Sequence, residues 1–374
     1  MSAARRAPLK LSEKIVFAAL MLFLAIVVVD LLLGLWNRHP SVDAYAGIYL
    51  PHPVRLYTLS PGATKRPPVG VFSEYVKEWK KSGATYDIRI NRQGYRGADF
   101  GPKTKTRWLA LGDSSTFGWD VAEDEAWPAL LEMLLRARGA DVEVLNLGVP
   151  GYSTHQGRLL LPEIWDLAPD GLIVAYGRND EIDTNDTLDA NRRGRSDAEW
   201  MPGDRIVPGP TRSMEDKIKQ TQLGQVLQER THQPPKGETP KVGDAPRRVT
   251  LSQTKENLRA IVAAARAHGV PVVLVSVGCF FPEYRQAIRQ AADEENVPFL
   301  ETFDLLFAAV PEIRSTDRFA ACREPLLERL GKKTIASSAG GWLWFSTDFG
   351  HPNACGHQVI AEALAGLVPL MKSE

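Results

Sequence analysis

The sequence predicts an α/β fold, a five-stranded and mostly parallel sheet with helices on both faces. Three observations predict it. From Thr106 onward, short apolar runs alternate with amphipathic stretches, the pattern of strand, turn and helix repeated along the chain. The run Leu172–Tyr176 is almost continuously apolar, as in a strand buried on both faces. Leu251–His268 has helical spacing, stops at Gly269 and leads straight into the apolar run Pro271–Val277.

The elements follow in order. Arg107–Leu111 is a predicted strand, Ala126–Arg138 an amphipathic helix, Val142–Leu147 a strand and Ser153–Leu167 a helix. After Leu172–Tyr176 come the helix Leu251–His268, the strand Pro271–Val277, the helix Glu283–Glu295, the strand Pro298–Glu301 and a closing helix Cys355–Met371. Between about 181 and 247 the alternation breaks off into a polar insertion rich in Gly, Pro and charge, with Met214–Gln228 as one candidate helix. Such an insertion at a strand's carboxyl end is either a lid or substrate loop, or a plain surface loop. No internal repeat is visible.

Residues 37–104 read as a small β-rich segment punctuated by prolines and packed on the main domain, 105–372. Tyr86-Asp87-Ile88-Arg89-Ile90 alternates cleanly and ends at the turn Asn91-Arg92-Gln93-Gly94. Before this segment, Ile15–Trp36 is apolar apart from Asp30 and a glycine, long enough at about 20 residues to span a bilayer. Arg5, Arg6, Lys10 and Lys14 precede it, so the positive-inside rule puts residues 1–14 in the cytoplasm and the bulk outside. The expectation is an uncleaved signal-anchor, single-pass, with a periplasmic or otherwise extracytoplasmic domain. A cleaved signal fits less well, because the nearest small-residue site, Ala44-Tyr45-Ala46, lies far downstream. Arg5-Arg6 resembles a twin-arginine signal, but Pro8 stands where that pattern prefers a large apolar residue. Asp30 is costly at membrane depth and reads as a residue near the outer interface or as a helix–helix contact.

Composition narrows the classes further. The 374 residues are 44% hydrophobic and 24% charged, values of a globular chain. Lys+Arg 45 against Asp+Glu 45 leaves no net charge, so nucleic acid is not an expected partner. Oligomeric state is left open. Cys279, Cys322 and Cys355 allow at most one internal disulfide, with a slight preference for Cys322–Cys355. No His, Cys and carboxylate cluster has ligand spacing, so no metal or other cofactor is expected.

In a parallel α/β sheet the binding crevice lies beyond the carboxyl ends of the strands. Four unusual segments stand there. Gly112-Asp113-Ser114-Ser115 offers a serine at a helix start, which is either a nucleophile awaiting a base or part of a simple N-cap made by Asp113, Ser114 or Ser115. Asn146–Gly157 carries Gly148 and Gly151, whose backbone N–H groups can approach a ligand closely, or which simply make a turn. Gly177-Arg178-Asn179-Asp180 offers a neutral N–H donor in Asn179, in residue types that also suit turns. In Asp348-Phe349-Gly350-His351, Pro352 keeps His351 out of helical geometry, so a carboxylate can hold one ring nitrogen while the other meets a hydroxyl. His357, inside the closing helix, reads as structural, and His155 as a helix-face residue.

Together these segments resemble the four blocks of the SGNH (GDSL-type) hydrolase superfamily, over roughly residues 106–372 apart from the insertion. The resemblance implies a flavodoxin-like three-layer α/β/α sandwich and a bacterial membrane-anchored member. It implies that Ser114 attacks an ester carbonyl, His351 takes its proton and Asp348 orients His351. Ser114 and Gly151, through backbone N–H groups, and Asn179, through its side chain, would form the oxyanion hole. Ser115 stands where the family name has Leu, a position without a chemical role. The activity implied is an exported, membrane-tethered serine esterase acting on acyl esters, acetyl among them, of a polysaccharide or another envelope component. An O-acetyltransferase with the same triad and a non-catalytic envelope scaffold are the alternatives.

Overall fold

A computed structural model describes residues 11–36, 45, 47–184, 196–201 and 247–368. Backbone contacts divide the chain into two units, residues 1–43 with 210–239, and residues 44–209 with 240–374. In the first unit the described element is helix α1, Leu11–Trp36, free of proline and rich in Leu, with Ala beside it, as helix propensity favours. Its side chains are described, and exposed, from Val16 to Val29. Among the described residues no helix is long and apolar enough to cross a membrane. The side chain of Asp30 lies outside the described residues, as do residues 1–10 and the candidate helix Met214–Gln228.

The second unit opens with two small antiparallel sheets. Strands β1, Tyr49–His52, and β2, Leu56–Leu59, form one. Strands β3, Thr64–Lys65, and β4, Ile88–Arg89, form the other, with helix α2, Val76–Ser82, between them. The alternation read in residues 86–90 is real in burial: Tyr86, Ile88 and Ile90 are inside, Asp87 and Arg89 outside. Pairing nonetheless stops after Arg89 except for a single bridge from Ile90 to Arg96, because the Asn91 side-chain oxygen accepts from the N–H groups of Gln93 and Tyr95 and turns the chain. The segment thus holds two short sheets and one helix. Arg55 docks it by donating to the Tyr152 hydroxyl at 3.1 Å and pairing with Glu163. Arg96, buried, docks it a second time beside the main sheet.

That sheet consists of β5, Thr106–Gly112; β6, Val142–Gly148; β7, Gly171–Ala175; β8, Val272–Ser276; and β9, Phe299–Glu301. Their order is β6-β5-β7-β8-β9 and every pairing is parallel, so "mostly parallel" becomes wholly parallel. Strands β7 and β8 are buried at every position, while the edge strands β6 and β9 leave positions half-exposed. This gradient is why the middle strands read as continuous apolar runs. In register, Gly112 lies opposite both Gly148 and Ala175, so three strands end at one level.

Nine helices follow the first strand of the sheet among the described residues. They are α3, Ser114–Phe117; α4, Trp127–Ala137; α5, Thr154–Ile164; α6, Asp197–Trp200; α7, Leu251–Ala267; α8, Pro282–Glu295; α9, Phe303–Ser315; α10, Ala320–Ser337; and α11, Ala354–Leu367. Helices α4 and α11 pack together, and α7 packs between α5 and α8, which gives two helical layers around the sheet. The layers grip through side chains such as Trp127 and Ile360, fully buried and each worth roughly 1.5–3 kcal/mol on apolar transfer. Helices α9 and α10 are not among the elements expected above; Pro311 lies inside α9, and Pro325 and Gly331 inside α10, where the Gly331 φ of 74° kinks the helix.

The insertion leaves and rejoins the fold at one place. Asp183 bridges to Arg247, and Arg248 N–H donates to the Ile182 carbonyl at 2.9 Å. Arg248 also pairs with Asp197 at 3.0 Å, both buried, and Ser153 donates to the same carboxylate at 2.6 Å. His155 is therefore no free helix-face residue, since its Nε2 bonds the Met201 carbonyl at 2.7 Å.

Candidate active site

The carboxyl ends of β5, β6 and β7 bring three of the four predicted segments together, and the loop before α11 brings the fourth. At the end of β5 the chain turns sharply into α3. Asp113 is the N-cap, its Oδ1 accepting from the Ser115 N–H at 2.9 Å. Of the three capping candidates in this segment, the structure selects one. The cap is Asp113, which frees the Ser114 hydroxyl to point elsewhere. The turn can be this tight because Gly148, on the neighbouring strand, has no side chain: a Cβ there would sit 2.2 Å from the Phe117 nitrogen.

Ser114 Oγ lies 2.7 Å from His351 Nε2, and His351 Nδ1 lies 2.6 Å from Asp348 Oδ2. The other Asp348 oxygen accepts from the backbone N–H groups of His351, at 2.7 Å, and Gly350, at 3.0 Å. Burial alone would raise the Asp348 pKa, but the His351 charge and its three hydrogen bonds outweigh it and hold the carboxyl below its ordinary range. Burial alone would lower the His351 pKa. The carboxylates of Asp348, first, then Asp120 and Asp113 outweigh it and raise the imidazole above its ordinary value. Such an imidazole accepts a proton readily, with Asp348 fixing the tautomer that leaves Nε2 facing the hydroxyl.

Gly151 adopts φ +85°, a backbone that glycine takes at no steric cost, and a Cβ there would stand 2.4 Å from the Tyr57 hydroxyl. Asn179 reaches the same corner: its amide nitrogen donates to the Tyr152 carbonyl at 3.0 Å and to Asp113 Oδ2 at 3.2 Å. Asp113 is fully buried, and burial pushes its pKa up to about 6 against the opposing Ser115 N–H bond and the His351 and Arg178 charges. Asp180, next along, accepts from the Thr154 N–H, the Thr154 hydroxyl and the Thr254 hydroxyl, and ties α5 to α7. Ser115 is buried, and its hydroxyl has no hydrogen-bond partner among the described residues. His357 accepts the Trp127 N–H at 3.1 Å, and burial lowers its pKa to about 3, as suits a neutral structural ring.

Several neighbours were not anticipated. The Trp119 ring stacks on His351 with centroids 5.9 Å apart, and Asp120 follows it, buried, at φ 67°. Glu181 accepts the N–H groups of Phe280 and Phe281 at 2.9 and 3.0 Å and pairs with Arg178. Arg178 lies over the Phe280 ring, which stacks on Phe349 beside the triad loop. An apolar cavity of about 20 Å³ opens here, lined by Phe303, Phe307, Phe345, Phe349 and Pro352. The sequence signals were present but unspecific: an aromatic-acid pair after the helix C-cap, and an acid directly after a strand-end Asp. Among the described residues no cluster of His, Cys, Asp or Glu could hold a metal. Cys322 and Cys355 are disulfide-bonded, and Cys279 is free and buried.

The profile of the family described as "GDSL-like Lipase/Acylhydrolase family" matches residues 110–359. An arylesterase of Vibrio mimicus is 37% identical over 75 residues, 20% of this chain and 38% of that protein. The chain thus matches less than two fifths of the length of that curated relative. A solved lipase/acylhydrolase from Enterococcus faecalis is 14% identical, with a TM-score of 0.38 over 71% of this chain and 100% of its own. A variant of an acetyl-xylooligosaccharide esterase from Geobacillus stearothermophilus is 18% identical, with a TM-score of 0.37 over 73% of this chain and 99% of its own. With the family profile running from the middle of β5 into α11, this chain belongs to the GDSL-like lipase/acylhydrolase family of ester hydrolases.

Proposed function

We propose that the chain is a serine esterase that removes acyl groups, short ones such as acetyl, from a carbohydrate or another envelope ester. The observation that carries this reading is the hydrogen-bonded series Ser114 Oγ, His351 and Asp348, at 2.7 and 2.6 Å. Ser114 Oγ attacks the acyl carbon as His351 Nε2 takes its proton, and Asp348 stabilises the resulting imidazolium. His351 then gives that proton to the departing alcohol, and water repeats the sequence on the acyl-serine. The oxyanion is met by the N–H groups of Ser114 and Gly151 and by the Asn179 side chain. Asn179 can turn to it by giving up its bond to Asp113, at 3.2 Å the longer of its two.

Residues 15–36 tether the enzyme to a membrane with residues 1–14 in the cytoplasm and the catalytic domain outside. Support comes from the apolar run with four basic residues before it, and from the Cys322–Cys355 bridge, which suits an oxidising compartment. Extraction of the full chain by alkaline carbonate without detergent would overturn the tether.

The deciding experiment for the chemistry is Ser114→Ala assayed on p-nitrophenyl acetate, expected to cost at least about 10³-fold in kcat. Hydrolysis at the unaltered rate overturns the reading. The same assay with an oligosaccharide present separates free acetate from acyl transfer to sugar, the outcome an O-acetyltransferase would give.

A further inference from the structure

One acidic group near His351 makes no direct contact with it. Asp120 follows the C-cap of α3, at φ 67°, a conformation in which a residue with a Cβ is strained by roughly 1–3 kcal/mol. Its side chain is 4% exposed, and among the described residues neither carboxylate oxygen makes a hydrogen bond of good geometry, the Thr347 hydroxyl and the Gly70 N–H acting on it only as weak donors. It borders a cavity of about 30 Å³ whose wall also includes Glu125, Arg329, Thr347 and Asn353. A buried acid that is both strained and unpaired costs stability twice, and such costs cluster at functional sites.

Its position gives it something to act on. Thr347, on the wall of the same cavity, donates its N–H to the His351 carbonyl at 3.0 Å. Trp119, its chain neighbour, stacks on the His351 ring. We propose that Asp120 is a positioning residue of this site, a second carboxylate that acts through His351 by favouring its protonated form while the serine proton rests there. This proposal rests on the esterase reading of Ser114 and His351. Asp348 holds the ring by direct contact, whereas Asp120, buried, acts on it through space, where a charge is felt more strongly than in water.

The charged and titratable groups around this pair come from every element packed on it. Asp348 and His351 lie on the triad loop, Asp113 on the turn after β5, and Glu125 on the turn before α4. Arg329 lies on α10, His357 on α11, and Tyr45, Tyr86 and Arg96 come from the segment before the sheet. Burial, then the Asp348 charge, pushes the Asp120 pKa up to about 7. The raised value means that the native state binds this proton more tightly than the unfolded chain does. Its stabilising contribution is complete below the ordinary carboxyl pKa and is lost as pH rises toward 7.

Asp120→Asn and Asp120→Gly in the full-length protein test the proposal together. Asn keeps the shape and tolerates the left-handed backbone, and Gly removes the strain altogether. Both are expected to move the acid limb of kcat/KM for p-nitrophenyl acetate down by about half to one pH unit, and to lower kcat at pH 8 about three- to tenfold. Asp120→Asn is expected to melt a few degrees higher than the parent at pH 8 and at the parent's temperature near pH 4. Asp120→Gly, which also loses the strain, keeps part of its gain at pH 4. A merely structural turn residue would leave the acid limb in place in both variants, and that result overturns the proposal. If the parent hydrolyses no ester, the esterase reading fails by itself. The His351 pKa, followed by NMR on histidine-labelled protein, then decides: a fall in both variants supports the coupling, and an unchanged value removes it.

Discussion

The turn after β5 and the loop at residues 346–353 meet at one hydrogen bond, yet they are held in opposite ways. The loop is self-contained. Ser346 bridges to Pro352, and both the Thr347 N–H and the Ser346 hydroxyl reach the His351 carbonyl. Asn353 then seals it, donating to the Leu343 carbonyl while its oxygen caps α11 at the Cys355 and Gly356 N–H groups. The nucleophile turn leans on a distant segment instead. Arg96 donates to the carbonyls of Phe117, at 2.8 Å, of Gly118 and of Val121, at 2.6 Å, and lies over the Phe117 ring. It thereby satisfies the carbonyls that end α3, a helix too short to satisfy them itself. His351 is held within its own loop, whereas the turn at Ser114 is held from elsewhere, by Arg96 and by Asn146 of β6, whose amide donates to the Thr116 carbonyl at 2.9 Å.

The largest expected effects lie where the two regions touch. Asp348→Asn should lower kcat by about 10²–10⁴-fold, because it removes the charge that stabilises imidazolium and unsettles the tautomer. His351→Ala should cost about 10³-fold or more, to the level of Ser114→Ala, since residues acting as one unit are not additive. The parent's activity should fall on acidification through a pKa above the ordinary 6.5, because His351 is raised and its protonated form cannot accept the serine proton. An acid limb well below 6.5 on p-nitrophenyl acetate would contradict this electrostatic picture.

The contrast between local and remote support also explains what could be read in the sequence. The loop was legible, since Asp348, His351, Pro352 and Asn353 lie within six residues and each acts on a close neighbour. The sheet was legible for the same reason, its middle strands being continuous apolar runs. Ser114 was legible only with its partners, because Asp113 does cap the helix and the capping reading was correct for that residue. Arg96 gave no signal: one arginine after a turn carries no mark of the three carbonyls it will meet across the fold. Helices α9 and α10 were hidden by internal prolines whose lost hydrogen bonds are offset by packing on α11 and on each other. Asp120 was invisible because its interest is a backbone angle and the absence of a partner, neither of which a residue type displays.

Equal damage to the two supports should separate stability from activity. Arg96→Ala leaves buried carbonyls without a donor and should cost about 2–4 kcal/mol in denaturant unfolding. It should also lower kcat tenfold or more, on the order of 1.4 kcal/mol in the barrier, as the nucleophile turn loosens. Replacing Cys322 and Cys355 together by Ser opens a bridge across 33 residues and should cost a similar 2–4 kcal/mol. Here kcat should stay within about threefold, roughly 0.6 kcal/mol, since Asn353 and the Ser346–Pro352 bridge still shape the loop. Comparable losses of kcat in both variants would show that the loop is no more self-sufficient than the turn.

Ser115→Ala is the smallest change expected and the sharpest check on the turn. The Ser115 N–H bond to Asp113 belongs to the backbone and survives the substitution. Its hydroxyl is buried without a partner among the described residues, so removing it deletes a desolvated polar group and leaves nothing else unpaired. Stability should be unchanged or rise by up to about 1 kcal/mol. Hydrolysis of p-nitrophenyl acetate should stay within about twofold of the parent, roughly 0.4 kcal/mol in the barrier. A loss as deep as that of Ser114→Ala would transfer the nucleophile to Ser115, and with it the 2.7 Å contact to His351 would lose its meaning.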